Sequence, residues 1–464
     1  MSQLMDVVVI GCGASGVTAL RKLHDAGLKV LGLEAADRIG GRICSVPFGT
    51  GYVDIGAAWC HGEKDNKVFE LANTYNLLGR PDSEETKCFV YKGTSSEEAE
   101  KIIDILENAV TVADKNNTKA ISECLRDAVN SRRNLSKDPQ LVNAIVEWYE
   151  RNNHVGGQND PRTGKSLKGL EEHWPCEGEI WLNWKGRGYK TILDVLLNRY
   201  PDPSKEIPVQ ILLKKEVEII KWRSADDQVN PLVHVKCKDG SLYAAKSVIV
   251  TVPLAVLKER HNHLFNPPLP AEKVNSVNNL HFTILGKIYI EFEKPWWPAK
   301  RSNFSIFWRD EDKARFSTSE KWITEIHGLQ TVEHQPNLLL AWIYGNGAEE
   351  MEKVNLEGVK AGVQKLFDVM LTQYKVTTIG NILRSQWTIN PLARGTYSYR
   401  SVASEQSGAN AVTLSEPLFS GHSPVVCFAG EASSHHYHNS VHGAIDAGFR
   451  EAERLIDAFR RKLL

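Results

Sequence analysis

The opening of the chain constrains its fold more than any other feature. Asp6-Val7-Val8-Val9-Ile10 is a short β-branched apolar run ending in glycine, as a strand buried on both faces of a parallel sheet reads. Gly11-Cys12-Gly13-Ala14-Ser15-Gly16 follows at once, helical periodicity runs from Ala14 to Ala26, Gly27 closes the helix, and Lys29-Val30-Leu31-Gly32-Leu33 reads as the next strand. A GxGxxG turn in this context has a mechanism. Gly11 permits the tight turn, Gly13 lets a pyrophosphate approach the backbone, and Gly16 lets helix and strand pack closely. The helix N-terminus, with Ala14 and Ser15 in its first turn, holds phosphate charge. Glu34 ends the second strand, where a carboxylate accepts ribose hydroxyls and repels a 2'-phosphate. The expectation is a Rossmann-type unit for a dinucleotide other than NADP, with NAD and FAD both open at this point.

At 464 residues the chain exceeds what one core usually organises, so two domains, interleaved along the sequence, are expected. Lys and Arg number 56 against 57 Asp and Glu, so no bulk field favours nucleic acid or an anionic membrane. The eight cysteines form no CxxC pair and lack histidines at zinc-ligand spacing, so no metal is expected. The fingerprint lies too near Met1 for a secretory signal to precede it, and no run approaches the roughly 20 apolar residues of a membrane span. Lys462-Leu463-Leu464 is not the peroxisomal Ser-Lys-Leu address, and a cytoplasmic location with free thiols is the expectation.

Residues 95–155 carry helix-like spacing with few turn signals and read as a helical insertion. Glu216–Ile220, Val233–Cys237 and Ser247–Val252 read as a strand meander, with Lys238-Asp239-Gly240 as a hairpin turn. Further strands are expected at Lys287–Phe292, Leu338–Ile343 and Val425–Gly430, and helices at Val359–Gln373 and Gly443–Lys462.

The residues after Glu34 separate the two dinucleotides. Arg38, Gly40-Gly41-Arg42 and Asp54-Ile55-Gly56-Ala57-Ala58-Trp59 form an extended basic, glycine-rich segment able to wrap a longer one. With them the chain resembles the flavin amine oxidase family, and matching pieces recur in order from Val8 to Phe449. The resemblance implies FAD, with Arg42 near its pyrophosphate, Gly56, Ala57 and Trp59 beside the flavin ring, and Val217 reading the adenine through its backbone. The segment Val250 to Leu257 is similar to the family's TVPLGVL piece, and Phe428-Ala429-Gly430-Glu431 to its FAGE piece, which puts Gly430 and Glu431 close to the cofactor. His442-Gly443-Ala444 resembles the HGA opening of the last helix. The same resemblance adds Trp387, Ser440 and Val441 to the cofactor set.

Within the family the sequence is most similar to the animal polyamine oxidases. Trp59-Cys60-His61-Gly62 resembles their WIHG segment, which implies that His61 faces substrate. Thr396 stands where monoamine oxidases carry the cysteine bonded to FAD, so the resemblance implies a non-covalent cofactor. Tyr397 matches one wall of the aromatic cage and Ser440 the other, which implies a tunnel for long, flexible, polar amines. Lys287 matches the lysine that holds a water against flavin N5; residue type alone would put it on an exposed strand face. If it is buried, desolvation lowers its pKa. Glu171 and Glu172 fall in a stretch resembling the variable substrate-contacting segment. They are candidates for the carboxylate a polycation requires, or else a solvated acidic pair. His435, His436 and His438 lie on a loop without acidic or thiol partners, which argues against a metal.

The expected fold class is α/β, with a Rossmann-type FAD-binding domain (1–80, 182–257 and 386–464) interleaved with an α+β substrate-binding domain (81–181 and 258–385). The expected activity is that of an FAD-dependent polyamine oxidase. It would oxidise a secondary amine C–N bond of spermine, spermidine or an N-acetylated polyamine with O2, giving a shorter amine, an aminoaldehyde and H2O2. One alternative is an L-amino-acid oxidase, which needs an arginine facing the flavin; Arg394 matches a cofactor-side position instead. The other is a flavin-bearing interaction scaffold, for which 95–155 is too short a helical arm. The sequence leaves the oligomeric state open.

Overall fold

The computed structural model describes residues 4–81, 85–91, 96–132, 135–156, 160–222, 232–298 and 301–464. Met5–Ile10 pairs in parallel with Val30–Leu33 on one side and Leu242–Val250 on the other. Val7, Val8 and Val9 are wholly buried, because helices cover both faces of a parallel sheet. Gln210–Leu212 extends the sheet beyond Val30–Leu33. The long strand Leu242–Val250 pairs antiparallel with Val233–Cys237 along its first half and parallel with Ser423–Phe428 along its second. Residues near both ends of the chain thus meet in one sheet, which has nine strands among the described residues.

The expected meander is present as Val217–Lys221, Val233–Cys237 and Leu242–Val250, and Gly240 turns the hairpin at φ +86°. The first helix, Ala14–Asp25, stops where Gly27 takes φ +80°. Against it lies the last helix, Val441–Arg460. A Cβ at Gly448 would overlap the Ser15 carbonyl oxygen, so only glycine permits so close a crossing.

A second sheet has the order Ile379–Arg384, Leu285–Phe292, Gln335–Tyr344, Ile326–Val332, Ser302–Ile306 and Thr86–Val90. Its two faces differ. Ile288, Ile290, Leu339, Ala341 and Ile343 pack with Val359, Val363, Leu366 and Phe367 of the helix Leu356–Met370. Tyr289, Leu338 and Leu340 turn the other way, with Trp342, onto Val53 and Trp59. Lys287 lies opposite Trp342 on that second face. The expected helical insertion is three helices, Ser96–Val112, Ile121–Asn130 and Pro139–Asn152, and Ser95 lies outside the described residues. Among the described residues no helix is long and apolar enough to cross a membrane.

Candidate active site

The first sheet builds the nucleotide end. Gly11 turns at φ +92°, and a Cβ at Gly16 would overlap the Gly11 carbonyl oxygen. Gly13 pairs with Gly40 across a parallel bridge, and the Gly40 amide donates to the Cys12 carbonyl at 2.8 Å. Two glycine segments therefore face each other without Cβ walls, leaving room for a pyrophosphate. Ser15 Oγ, in the first helical turn, is buried and has no hydrogen-bond partner, a hydroxyl left for phosphate. Glu34 accepts from the amides of Cys12 at 2.7 Å and Ala36 at 2.8 Å, which keeps the carboxylate at the strand end. The Lys215 amide donates to the Glu34 carbonyl at 2.7 Å, bringing Val217 close along the chain. Arg260 bonds the Val217 carbonyl at 2.8 Å.

The two sheets together build the other end. Lys287 Nζ donates to the carbonyls of Asp54 at 2.9 Å and Gly56 at 2.7 Å, and lies over Trp59 and Trp342 at 5.3 and 5.1 Å from the ring centroids. Burial lowers its pKa to about 8, while the Asp54 carboxylate pulls the other way. Asp54 is missing from the sequence-derived set. Burial raises its pKa to about 6, against the Ser45 hydroxyl and the Lys287 charge. Tyr289 Oη also donates to the Asp54 carbonyl, at 2.8 Å, so one peptide unit anchors two side chains of the strand. Trp387 Nε1 holds the neighbouring Ile55 carbonyl at 2.9 Å, and Ala57 donates to the Arg42 carbonyl at 3.2 Å.

Glu431 ties the ends of the chain together. Its carboxylate accepts from Arg42 Nη1 at 2.8 Å, Ser398 Oγ at 2.6 Å and the Asn439 amide at 2.9 Å. Burial would raise its pKa, but these partners hold it below the ordinary value. Arg42 Nη1 also donates to the Thr396 carbonyl at 2.5 Å. Because Ser398 and Asn439 share one carboxylate, their chain neighbours Tyr397 and Ser440 are brought to the same region. Gly430 sits beside them at φ +113°, a conformation that favours glycine. The Ser440 hydroxyl donates to the Tyr437 carbonyl at 2.6 Å and accepts from the Gly443 amide at 3.0 Å, which makes it the cap of the helix that opens with Val441. Thr396 Oγ1 is likewise occupied, donating to the Thr283 carbonyl at 2.7 Å.

His61 Nδ1 donates to the Ile180 carbonyl at 2.6 Å, which leaves Nε2 as the free acceptor of the neutral ring. Its ring meets the edge of Trp181, and Trp181 in turn meets Trp59 at 5.3 Å. The side chain keeps an exposed face, and partial desolvation by its neighbours lowers its pKa, with the Lys287 charge adding to the effect. Around Tyr397 stand three residues that the sequence did not single out, His154, Tyr344 and His327. Tyr397 Oη shares a 2.6 Å hydrogen bond with His154 Nδ1, and the His154 ring lies 5.5 Å from Tyr344 and 6.4 Å from His327. Burial pushes His154 well below its ordinary pKa, and His327 to about 3.

Of the two candidate carboxylates, Glu172 forms an ion pair with Arg400 at 2.5 Å, so its charge is already compensated, and Glu171 is exposed, as one of a solvated acidic pair would be. Among the described residues no group of three or more His, Cys, Asp or Glu side chains could hold a metal. His436 instead stacks on Trp174 at 3.4 Å.

The glycine cradle, the unpartnered Ser15 hydroxyl and the terminal acid Glu34 fit the adenosine and pyrophosphate parts of FAD, and the Lys287 side of the second sheet fits the flavin end. The profile described as flavin containing amine oxidoreductase matches residues 14–456. Over 97% of this chain and 94% of theirs, it is 28% identical to "Peroxisomal N(1)-acetyl-spermine/spermidine oxidase" of Homo sapiens and 29% to that of Bos taurus. It is 25% identical to "Probable polyamine oxidase 5" of Arabidopsis thaliana, over 99% of each chain. The chain belongs to the flavin containing amine oxidoreductase family and is an FAD-dependent amine oxidase.

Proposed function

We propose that the protein is a polyamine oxidase, cleaving a C–N bond beside a secondary amine of spermine, spermidine or an N-acylated relative. The observation that carries the reading is that Ser398 and Asn439, the chain neighbours of Tyr397 and Ser440, both bond the Glu431 carboxylate. A wall with one aromatic ring and one small hydroxyl leaves room for an extended chain, where two rings would clamp a short aromatic amine. The names of the relatives agree with this substrate class.

FAD, when bound, accepts the two electrons lost by the amine and passes them to O2. The side chains act on position and protons. The reacting nitrogen must be neutral, and His61 Nε2, an acceptor on a ring kept neutral by desolvation, receives a hydrogen bond from a substrate N–H. Lys287, with its pKa brought to about 8, exchanges a proton with a water at the cleft face of the second sheet. Trp59 and Trp342 keep bulk solvent from that ammonium group.

Purified protein mixed anaerobically with spermine or N-acetylspermine should lose its yellow flavin absorption. Retention of the colour with every polyamine, alongside bleaching by an L-amino acid, would reject the proposal.

A further inference from the structure

A chamber for cationic chains should be lined with carboxylates, yet a half-buried position beside His154 holds a cation. Lys165 is placed by an antiparallel bridge to Ser401, and its own amide donates to the Val155 carbonyl at 2.8 Å. Its Nζ donates to the Asn153 carbonyl at 3.1 Å, beside the His154 that bonds Tyr397. Among the described residues Lys165 forms an ion pair with no carboxylate. Elsewhere on the neighbouring chain segments Glu172 and Glu405 pair with Arg400, and Asp160 with Arg162. Its side chain is half-buried, and its charge is felt by His154, His173 and His438, three imidazoles on separate segments. Burial alone brings its pKa to about 8, so it remains mostly charged at neutral pH.

We infer that Lys165 is a specificity-determining residue of the chamber, donating a hydrogen bond to an oxygen acceptor on the far end of the amine substrate and excluding an ammonium group from that place. Among the described residues the ammonium has no counter-ion, and it has hydrogen-bond capacity left after Asn153. The imidazoles that sense its charge, His154, His173 and His438, are held neutral by burial. A free ammonium end would meet like charge there with no compensating acid. An amide carbonyl or a carboxylate would complete the site. Of these the amide is favoured, because it preserves a long apolar methylene chain without adding a second ionic partner to the reacting amine.

This inference rests on the proposed substrate class, and the test separates the two. FAD-loaded wild type, Lys165→Met and Lys165→Glu are assayed with spermine, N-acetylspermine and an ω-amino acid, with flavin content confirming folding. The expected result is a roughly 10- to 100-fold fall in kcat/KM for N-acetylspermine in Lys165→Met, carried mainly by KM, and a rise for spermine in Lys165→Glu. Ligand binding is read separately from shifts of the flavin absorption band. An acetyl-to-free selectivity ratio that is the same in all three proteins overturns the role of Lys165. A preference for the ω-amino acid keeps the oxygen acceptor and replaces the amide by a carboxylate. If wild type oxidises no polyamine, the functional proposal fails. Band shifts with N-acetyl diamines that occur in wild type and vanish in Lys165→Met would then still support the lysine's role.

Discussion

Lys287 shows how one burial sets both chemistry and stability. Its pKa of about 8 lies below the unfolded lysine value of about 10.4, so the folded state disfavours the proton. That cost is present in full below pH 8 and is relieved as pH rises towards 10.4. Wild type should therefore gain stability relative to Lys287→Met between pH 8 and 10 in chemical unfolding. A difference independent of pH would show that the lysine is not desolvated. Replacing Lys287 by Met should also slow polyamine oxidation roughly 100-fold, measured as steady-state peroxide production, with FAD still bound. Glu431→Gln weakens the hold on Arg42, Ser398 and Asn439 at once, so FAD should dissociate more readily, as ultrafiltration of the yellow protein would report. Lys287 and Glu431 can be found in the sequence because each sits in a short contiguous motif. His154, Tyr344 and Lys165 cannot, since what matters about them is whom they face across the fold, and their neighbours along the chain carry no sign of it.

Elements divide in the same way. The strand Met5–Ile10, the hairpin at Gly240 and the last helix are legible because local pattern and tertiary demand agree. The helix expected from Val359 begins a turn earlier, at Leu356, because the Asn355 side chain accepts from the Gly358 amide and caps it. The hairpin Ser45–Phe48 and Gly51–Asp54, which delivers Asp54 to the site, escapes sequence reading, its apolar runs being short and broken by Pro47. The ion pair of Glu172 escapes sequence reading for a different reason: its partner Arg400 is far away in the chain. Ser440→Ala should cost about 1 kcal/mol of unfolding free energy through the lost cap, with the flavin retained. Gly448→Ala should cost about 1–3 kcal/mol, because the added methyl meets the Ser15 carbonyl where the first and last helices cross.

On the scale of the whole molecule, the residues that would hold FAD lie where the two sheets and residues near both ends of the chain converge. A ligand that binds only the folded state stabilises it by mass action. FAD at about 100 times its dissociation constant should add about 2.7 kcal/mol, seen as a rise in Tm of apoprotein on titration. The strand order has a further consequence for synthesis. Met5–Ile10 is synthesised long before Ser423–Phe428, which adds to the same sheet, and before Glu431, which pairs with Arg42. Flavin capture should therefore await the segment that carries Glu431, and a product terminated before it should be colourless, with an unsealed sheet edge that invites degradation.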